Sequence, residues 1–474
     1  MSDPRRLRGD APLLDAWLRF REQRPTPFTI PGHKQRTDLV GDVVAGDVPL
    51  HGGLDTVTLA RGVLDDAERR AARLWGADVC HFSVGGSTHG NQALALSVGR
   101  PGDRVVVSRT LHRSMLLGLV LAGLEPVWLR PEVDPVTGLP TAVPVEAVAR
   151  ALAGHDGVCA VLIGDPSYVG TLGDVAGYAD VAHAHDVPLV VDAAWAPHLG
   201  FHAALPPHAL ARGADAMVVS AHKTLPAWSQ GALVLARTER IDAGRLARGV
   251  EATHTTSPAG AILASTDAAR ALLARDGEEL LGRVVALVAG ARRRIARVRG
   301  MSVLEGPGVD PTKLVVLLAR TGADGFAVER DLVAAGLPLE MADRDTLVPV
   351  VTMADDAGTV GRLLDAITAS VERHRGALRP VATAASWQVQ PDVVLSPREA
   401  FFAPRVTVPA AAATGRVCAE VVAPYPPGIP VLAPGERIGA GVLDALTQAR
   451  QQGARIAYAA DPTLATVQVV DDGR

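Results

Sequence analysis

Residues 188–224 read PLVVDAAWAPHLGFHAALPPHALARGADAMVVSAHKT. Two short apolar runs, Pro188–Val191 and Ala216–Val219, each stop at a polar residue. Runs of this length, bounded by turn residues, predict buried strands. Asp192 closes the first run, and Ser220-Ala221-His222-Lys223-Thr224 follows the second. A carboxylate at the end of an apolar strand is costly unless it meets a protonated ring nitrogen, a metal or an arginine. A lysine directly after a buried strand is well placed to condense with a carbonyl group. Each residue also has a plain reading, Asp192 as the cap of the next turn and Lys223 as a loop lysine in solvent. They lie 31 positions apart, room for one strand-to-strand crossover, so both can face one pocket.

The same alternation extends outward. Upstream, the pattern predicts a helix at Val63–Trp75, a strand at Val79–Ser83, a glycine turn and a helix at Ser87–Val98. A strand at Arg104–Val107, a helix at Arg113–Gly123 and a strand at Pro126–Leu129 follow. Then come a strand at Val158–Ile163, a helix at Val175–His185 and, beyond Lys223, a strand at Ala232–Ala236. Helices between apolar strands predict an α/β fold with a mostly parallel sheet covered on both faces. Ligands of such sheets bind at the carboxyl ends of the strands.

Near residue 285 the texture changes. A basic helix is expected at Arg283–Val298, then a strand at Lys313–Leu318 and helices at Ala327–Ala335 and Ala357–His374. Residues 376–400 have the composition of a linker. A helix at Ala440–Gln452 and a last strand at Arg455–Ala459 close the chain. The division expected is a lead-in over 1–30 with a short helix at Leu13–Arg21, a large domain over 31–285, a small α/β domain over 286–380 and a C-terminal domain over 381–474.

Composition narrows the function classes. The chain has 474 residues, 48% hydrophobic and 21% charged, with a formal charge of −4. That is a globular composition, and it lacks the basic surplus of a nucleic-acid binder. Cys80, Cys159 and Cys418 are scattered, which argues against a disulfide framework or a structural zinc site. The basic N-terminus has no apolar run of signal-peptide type after it, and the longest apolar run, around Met115–Leu124, is too short to span a bilayer. A soluble cytoplasmic protein without a membrane partner is expected. His183 and His185 stand at the end of a predicted helix, without HExxH, where histidines favour the helix dipole; no metal site is expected.

Two further segments belong with Asp192 and Lys223. Val84-Gly85-Gly86-Ser87-Thr88-His89-Gly90-Asn91 ends a strand, turns on two glycines and opens a helix with hydroxyl residues. Bare amides and the helix dipole make such a turn an anion site, with the Ser87 and Thr88 hydroxyls as extra donors. An ordinary N-capped helix would read the same. Arg109-Thr110-Leu111-His112-Arg113-Ser114 follows another strand, and His112 can stack on a planar ligand. Lysine, strand-end carboxylate, anion cup and flat group are together the requirements of pyridoxal 5′-phosphate (PLP).

In these segments the chain resembles the fold-type I Orn/Lys/Arg decarboxylases. The matching stretches are PGHK (31–34), GGSTHGN (85–91), LHRS (111–114), DPSYVG (165–170), VVDAAWAPH (190–198) and SAHKTLPAWSQGA (220–232). TTSP (255–258), PREAFFAP (397–404) and PYPPGIPVLAPGE (424–436) complete the set, which runs over about residues 27–440. The resemblance implies an aspartate-aminotransferase-like fold with decarboxylation of arginine, lysine or ornithine, or a modified relative, in polyamine and amino acid metabolism. It implies Lys223 as the residue that takes the cofactor aldehyde and Asp192 as the partner of its ring nitrogen. His112 would stack on the ring, Ala194 would meet the other face, and Trp195 would lie near the phenolic oxygen. Gly86, Ser87, Thr88, Ser220 and His222 would hold the phosphate. Thr256 or Ser257 would reach it from a neighbouring subunit, which implies a homodimer or a larger homo-oligomer with shared sites. Lys223 or His222 would return a proton to the substrate Cα. Glu399 is a candidate partner for the substrate's cationic side chain, with a surface glutamate on a short helix as the other reading.

The chain also departs from the family pattern. Gly85 stands where asparagine is usual, and Ala259-Gly260 follows TTSP where a polar residue and tyrosine are usual. The stretch between Lys34 and the Val63 helix is short. Two other readings stay open at this point, a different PLP reaction on the same scaffold (aminotransferase, aldolase, lyase or oxidative deaminase) and an inactive regulatory homologue.

Overall fold

The computed structural model describes residues 4–50, 53–54, 62–381, 389, 391–425 and 428–473. Outside them lie Pro426 and Pro427 of the proline-rich turn, most of 382–390 in the expected linker, and 55–61 in the stretch before the Val63 helix. The chain divides into two compact units, Met1–Val98 with Val190–Leu281, and Gly99–Leu189 with Gly282–Arg474.

Seven strands, mostly parallel, form the α/β part: β1 (Val79–Ser83), β2 (Arg104–Ser108), β3 (Glu125–Leu129), β4 (Val158–Gly164), β5 (Leu189–Asp192), β6 (Ala216–Ser220) and β7 (Ala232–Ala236). All seven stand within a residue or two of where the apolar runs place them.

In the first unit the order is β1-β7-β6-β5. β5 and β6 are parallel, with Asp192 level with Val218. β7 is antiparallel to both β6 and β1, a reversal that an α/β pattern alone does not foretell. Its Ala232 is level with Ser83 on one side and Ser220 on the other. The carboxyl ends of β1, β5 and β6 therefore come out at one edge. β6 and β7 are buried along their whole length.

Helices Val63–Trp75, Gly86–Val98 and Ala243–Thr253 belong to this unit, as does the lead-in helix Pro12–Gln23. The helix Gly86–Val98 lies very close to the sheet. A Cβ on Gly90 would stand 2.5 Å from Val218 Cγ2 and 2.9 Å from Val234 Cγ2. On its other side, Ala243–Thr253 approaches so closely that a Cβ on Gly249 would meet Ala93 O at 2.6 Å.

The second unit holds β4-β2-β3, all parallel, with helices Arg113–Ala122, Val145–Gly154 and Val175–Ala184. His183 and the capping His185 end the last of these. It also contains a four-stranded antiparallel sheet of β8 (Ser302–Val303), β9 (Val316–Leu317), β10 (Met341–Ala342) and β11 (Thr346–Val348), with helices Gly325–Ala334 and Ala357–Arg373. Its core is built from Leu314, Val316, Leu347, Leu364 and Ile367. A second core, around Cys418, Leu432, Val442, Leu446 and Val469, gathers the C-terminal segment.

Three expectations need correction. The basic helix expected from Arg283 begins at Gly260 and runs to Ile295. The strand at Arg455–Ala457 is not the last, because Thr466–Val470 follows and pairs with Arg405–Pro409. Within the expected linker, Pro397–Phe402 is helical. Among the described residues no helix is long and apolar enough to cross a membrane.

Candidate active site

The first unit brings Ser87, Asp192, Trp195, Ser220 and Lys223 to one edge of its sheet. Two of these positions follow from the register. Asp192 is the last residue of β5, and Ser220 the last of β6, with Lys223 in the short helix Ala221–Thr224 just beyond.

Asp192 is 7% exposed. Its Oδ2 accepts from Asn91 Nδ2 at 2.7 Å and its Oδ1 from the Ala194 backbone N–H at 3.2 Å. The Ala194 carbonyl in turn accepts from Ser220 N at 3.3 Å, which ties the turn after β5 to the end of β6. Trp195 is buried, and Lys223 Nζ stands 4.2 Å from its ring centroid. The indole face is an electron-rich wall for the ammonium. One residue past Lys223, the Thr224 hydroxyl lies 3.0 Å from Nδ1 of the buried His198.

The glycine turn carries the hydroxyl group nearest this edge. Gly86 has φ +68°, a left-handed conformation that favours glycine, and its N–H donates to Gln230 O at 2.9 Å. Ser87 Oγ then lies 2.7 Å from Ser220 Oγ, both groups buried. Thr88, next in the chain, is exposed. His222 Nδ1 lies 2.9 Å from Gly231 O. A carbonyl only accepts, so Nδ1 is the donor.

His89 in the same motif plays a local part. Its Nε2 donates to Val250 O at 3.0 Å, and its Nδ1 lies 2.8 Å from Ser83 Oγ. Burial pulls its imidazole down to about 4, so it is neutral at ordinary pH and ties helix Ala243–Thr253 to the glycine turn.

His112 belongs to the second unit, beyond the carboxyl end of β2. It caps the helix Arg113–Ala122, its Nδ1 accepting from Ser114 N at 3.2 Å, and the residue is exposed. The C-terminal segment holds this element at both ends. Arg109 donates to Glu436 through both terminal nitrogens, NH2 reaching Oε2 at 2.8 Å, and to the carbonyls of Pro430 and Val431 at 3.1 and 2.8 Å. Its guanidinium lies 4.6 Å from the Trp128 ring centroid. The two side chains are 10% and 1% exposed. At the far end, Arg398 NH1 donates to the Val120 and Leu121 carbonyls at 3.0 and 2.8 Å.

Thr256 and Ser257 lie exposed in the loop before Gly260. The Ala259-Gly260 departure has a packing cause. A Cβ on Gly260 would stand 2.9 Å from Val48 O and 3.0 Å from Val48 Cγ2, so the segment around Val48 fills the space a larger residue would need. Glu399 is exposed and used locally. It closes a capping box on helix Pro397–Phe402, where its Oε2 accepts from Ser396 N at 2.9 Å, and its hydrogen bonds to Ser396 draw its carboxyl below the usual range.

Asn91, Arg109 and Arg398 carry no role in the sequence reading. Asn91 had one available signal, its position one helical turn after Ser87.

Comparison with known proteins gives the family. Residues 11–322 match the model for "Orn/Lys/Arg decarboxylase, major domain", and residues 381–456 match that for the C-terminal domain of the same family. The chain is 30% identical over 479 residues to an arginine decarboxylase of Halalkalibacterium halodurans, covering 97% of this chain and 98% of the relative. In fold it is similar to the Francisella novicida lysine decarboxylase LdcF, with a TM-score of 0.81 at 18% identity over 97% of this chain and 81% of the other. An SPT chain solved with PLP is similar at a TM-score of 0.55 and 17% identity, over 68% of this chain and 82% of that one. By the match of both of its domain models and by full-length similarity to a curated relative, the chain belongs to the Orn/Lys/Arg decarboxylase family.

Proposed function

We propose that the protein is a PLP-dependent decarboxylase of a basic amino acid, with arginine the first substrate to test, acting as a cytoplasmic homo-oligomer. The observation that carries this reading is the pair Asp192 and Lys223 at neighbouring strand ends, beside the Ser87–Ser220 hydroxyl pair. Carboxylate, amine and hydroxyl cup are the donor set that PLP requires, and here they share one edge of one unit. The arginine decarboxylase among the relatives supports the choice of substrate.

In this assignment Lys223 Nζ would hold the cofactor aldehyde and Asp192 the ring nitrogen. Gly86 at the turn, the Ser87, Thr88 and Ser220 hydroxyls and His222 would hold the phosphate, with Thr256 or Ser257 of the partner subunit. By the family resemblance, His112 would stack on the ring, Ala194 would meet its other face and Trp195 would lie near the phenolic oxygen. The bound cofactor supplies an electron sink for the pair left when carbon dioxide departs.

The residues do the rest. Asp192, held by two N–H donors, would keep a proton on the ring nitrogen. Lys223 Nζ delivers the proton that replaces the carboxylate at Cα. Lys223 suits this step better than His222, because His222 Nδ1–H is bound to Gly231 O.

The test is a product assay. Purified protein loaded with PLP is incubated with arginine, lysine and ornithine, and carbon dioxide and amines are followed by mass spectrometry. Agmatine, cadaverine or putrescine names the substrate. A protein that carries bound PLP and yields no amine from any of the three refutes the reading. Lys223→Ala abolishes turnover, and Asp192→Asn retains the cofactor but turns over poorly; full activity in either overturns the assignment of that residue.

A further inference from the structure

Residues i and i+4 of a helix lie on one face, so the face that presents Ser87 presents Asn91 one turn later. Asn91 is 1% exposed, and its Nδ2 reaches Asp192 Oδ2 at 2.7 Å. The second carboxylate oxygen accepts from Ala194 N–H. Both partners are N–H groups, and each needs a lone pair to accept it. One donor on each oxygen fixes the rotation of the carboxylate about its Cβ–Cγ bond.

The reach of an asparagine side chain is short, and the packing makes it sufficient. Gly90 is the residue that lets the helix lie against Val218 of β6 and Val234 of β7. The depth so gained brings the next residue within hydrogen-bond distance of the end of β5.

We infer that Asn91 is a positioning residue for the reaction: it fixes the plane of the Asp192 carboxylate that is to meet the cofactor's ring nitrogen. It acts through Asp192 and touches no reacting atom. This inference rests on the cofactor reading given above.

The experiment compares full-length Asn91→Leu and Asn91→Asp with the wild type. Thermal melting reports folding. Titration with PLP, followed by tryptophan fluorescence, gives the cofactor Kd. The absorbance of bound cofactor, kcat and KM are then recorded across pH 5.5–8.5.

Asn91→Leu removes a hydrogen bond to a charged group, so it binds PLP more weakly and loses roughly ten- to a hundredfold in kcat, with KM changed much less. Its deficit is the same at every pH. Asn91→Asp sets a second carboxyl beside Asp192. At high pH the two charges oppose each other, while at low pH the new group is protonated and donates its O–H to Asp192. Its deficit therefore narrows as pH falls.

Two results overturn the inference while leaving the cofactor reading intact. One is a wild-type Kd, kcat and absorbance profile in both folded variants. The other is an identical deficit in the two variants at every pH, which would mean packing rather than donation. A wild-type protein that binds no PLP overturns the cofactor reading itself, and this inference with it.

Discussion

Replacing Glu436 with alanine isolates the guanidinium of Arg109. In the intact protein that group has a carboxylate on two of its nitrogens, two backbone carbonyls and an indole face, with only 10% of its side chain exposed. Removing one partner of a buried ion pair costs about 3–5 kcal/mol, because the other charge stays buried. The Pro430 and Val431 carbonyls and Trp128 remain, which places the cost near the lower figure, about 3 kcal/mol. The Ala433 N–H also loses its acceptor, since Glu436 Oε2 receives it at 2.7 Å. Glu436→Gln keeps the shape and an acceptor and loses less, about 1–2 kcal/mol. The double replacement Arg109→Met with Glu436→Leu removes both charges, and it melts within about 1 kcal/mol of the wild type or above it. Scanning calorimetry on the four proteins measures this, with a fall on the order of 5–10 °C expected for Glu436→Ala. A Glu436→Ala protein that melts with the wild type refutes the reasoning. So does a double variant less stable than either single one.

Gly90→Ala forces a methyl group into Val218 and Val234, at a cost of about 1–3 kcal/mol for overpacking. It also lifts Ser87 and Asn91 together, so the PLP Kd rises; Val218→Ala in the same chain restores both melting temperature and Kd, and a Gly90→Ala protein with wild-type values contradicts the packing account. For His89 the folded value near 4 lies below the ordinary 6.5. The unfolded chain therefore binds the extra proton first, and the stability His89 contributes is full above about pH 6.5 and is lost as pH falls toward 4. Denaturant titrations at pH 7, 5.5 and 4.5 should show a steeper loss for the wild type than for His89→Gln, and parallel curves would count against a buried neutral His89.

The strands were legible because each is a short apolar run ending in a turn, and burial on both faces makes such runs continuous. Lys223 and Asp192 stood out for the opposite reason, as polar groups at the ends of those runs. The first half of the helix Gly260–Ile295 was not legible, because Ser265, Thr266, Asp267 and Gly277 interrupt its apolar pattern. Asp267 is fully buried there and accepts from Leu13 N at 2.9 Å, a partner 254 positions away that no local pattern announces. The strand Arg405–Pro409 is mostly exposed and so lacks the alternation that marks a strand. Thr466–Val470 does alternate, and its signal was available in TVQVV. Asn91, Arg109 and Arg398 escaped notice because their partners lie about 100, 330 and 280 positions away. Local spacing shows which residues share a face, and it says nothing about a polar pair closed by the fold.

The attachment of Arg109 and Arg398 bears on the order in which the protein matures. The loop carrying His112 is synthesised early, and its two anchors come from residues 398 and 430–436. At 5–20 residues per second, about 16–65 s separate the emergence of Arg109 from that of Glu436. Through that interval the guanidinium has no carboxylate to meet, and water is its best surroundings. The segment bearing His112 thus has a setting that waits for residues 398–436. A chain released early would keep Asp192 and Lys223 and lack the clamp on His112, a fault that a ribosome-stalled series of lengths, probed by proteolysis around Arg109, would date to the arrival of residue 436.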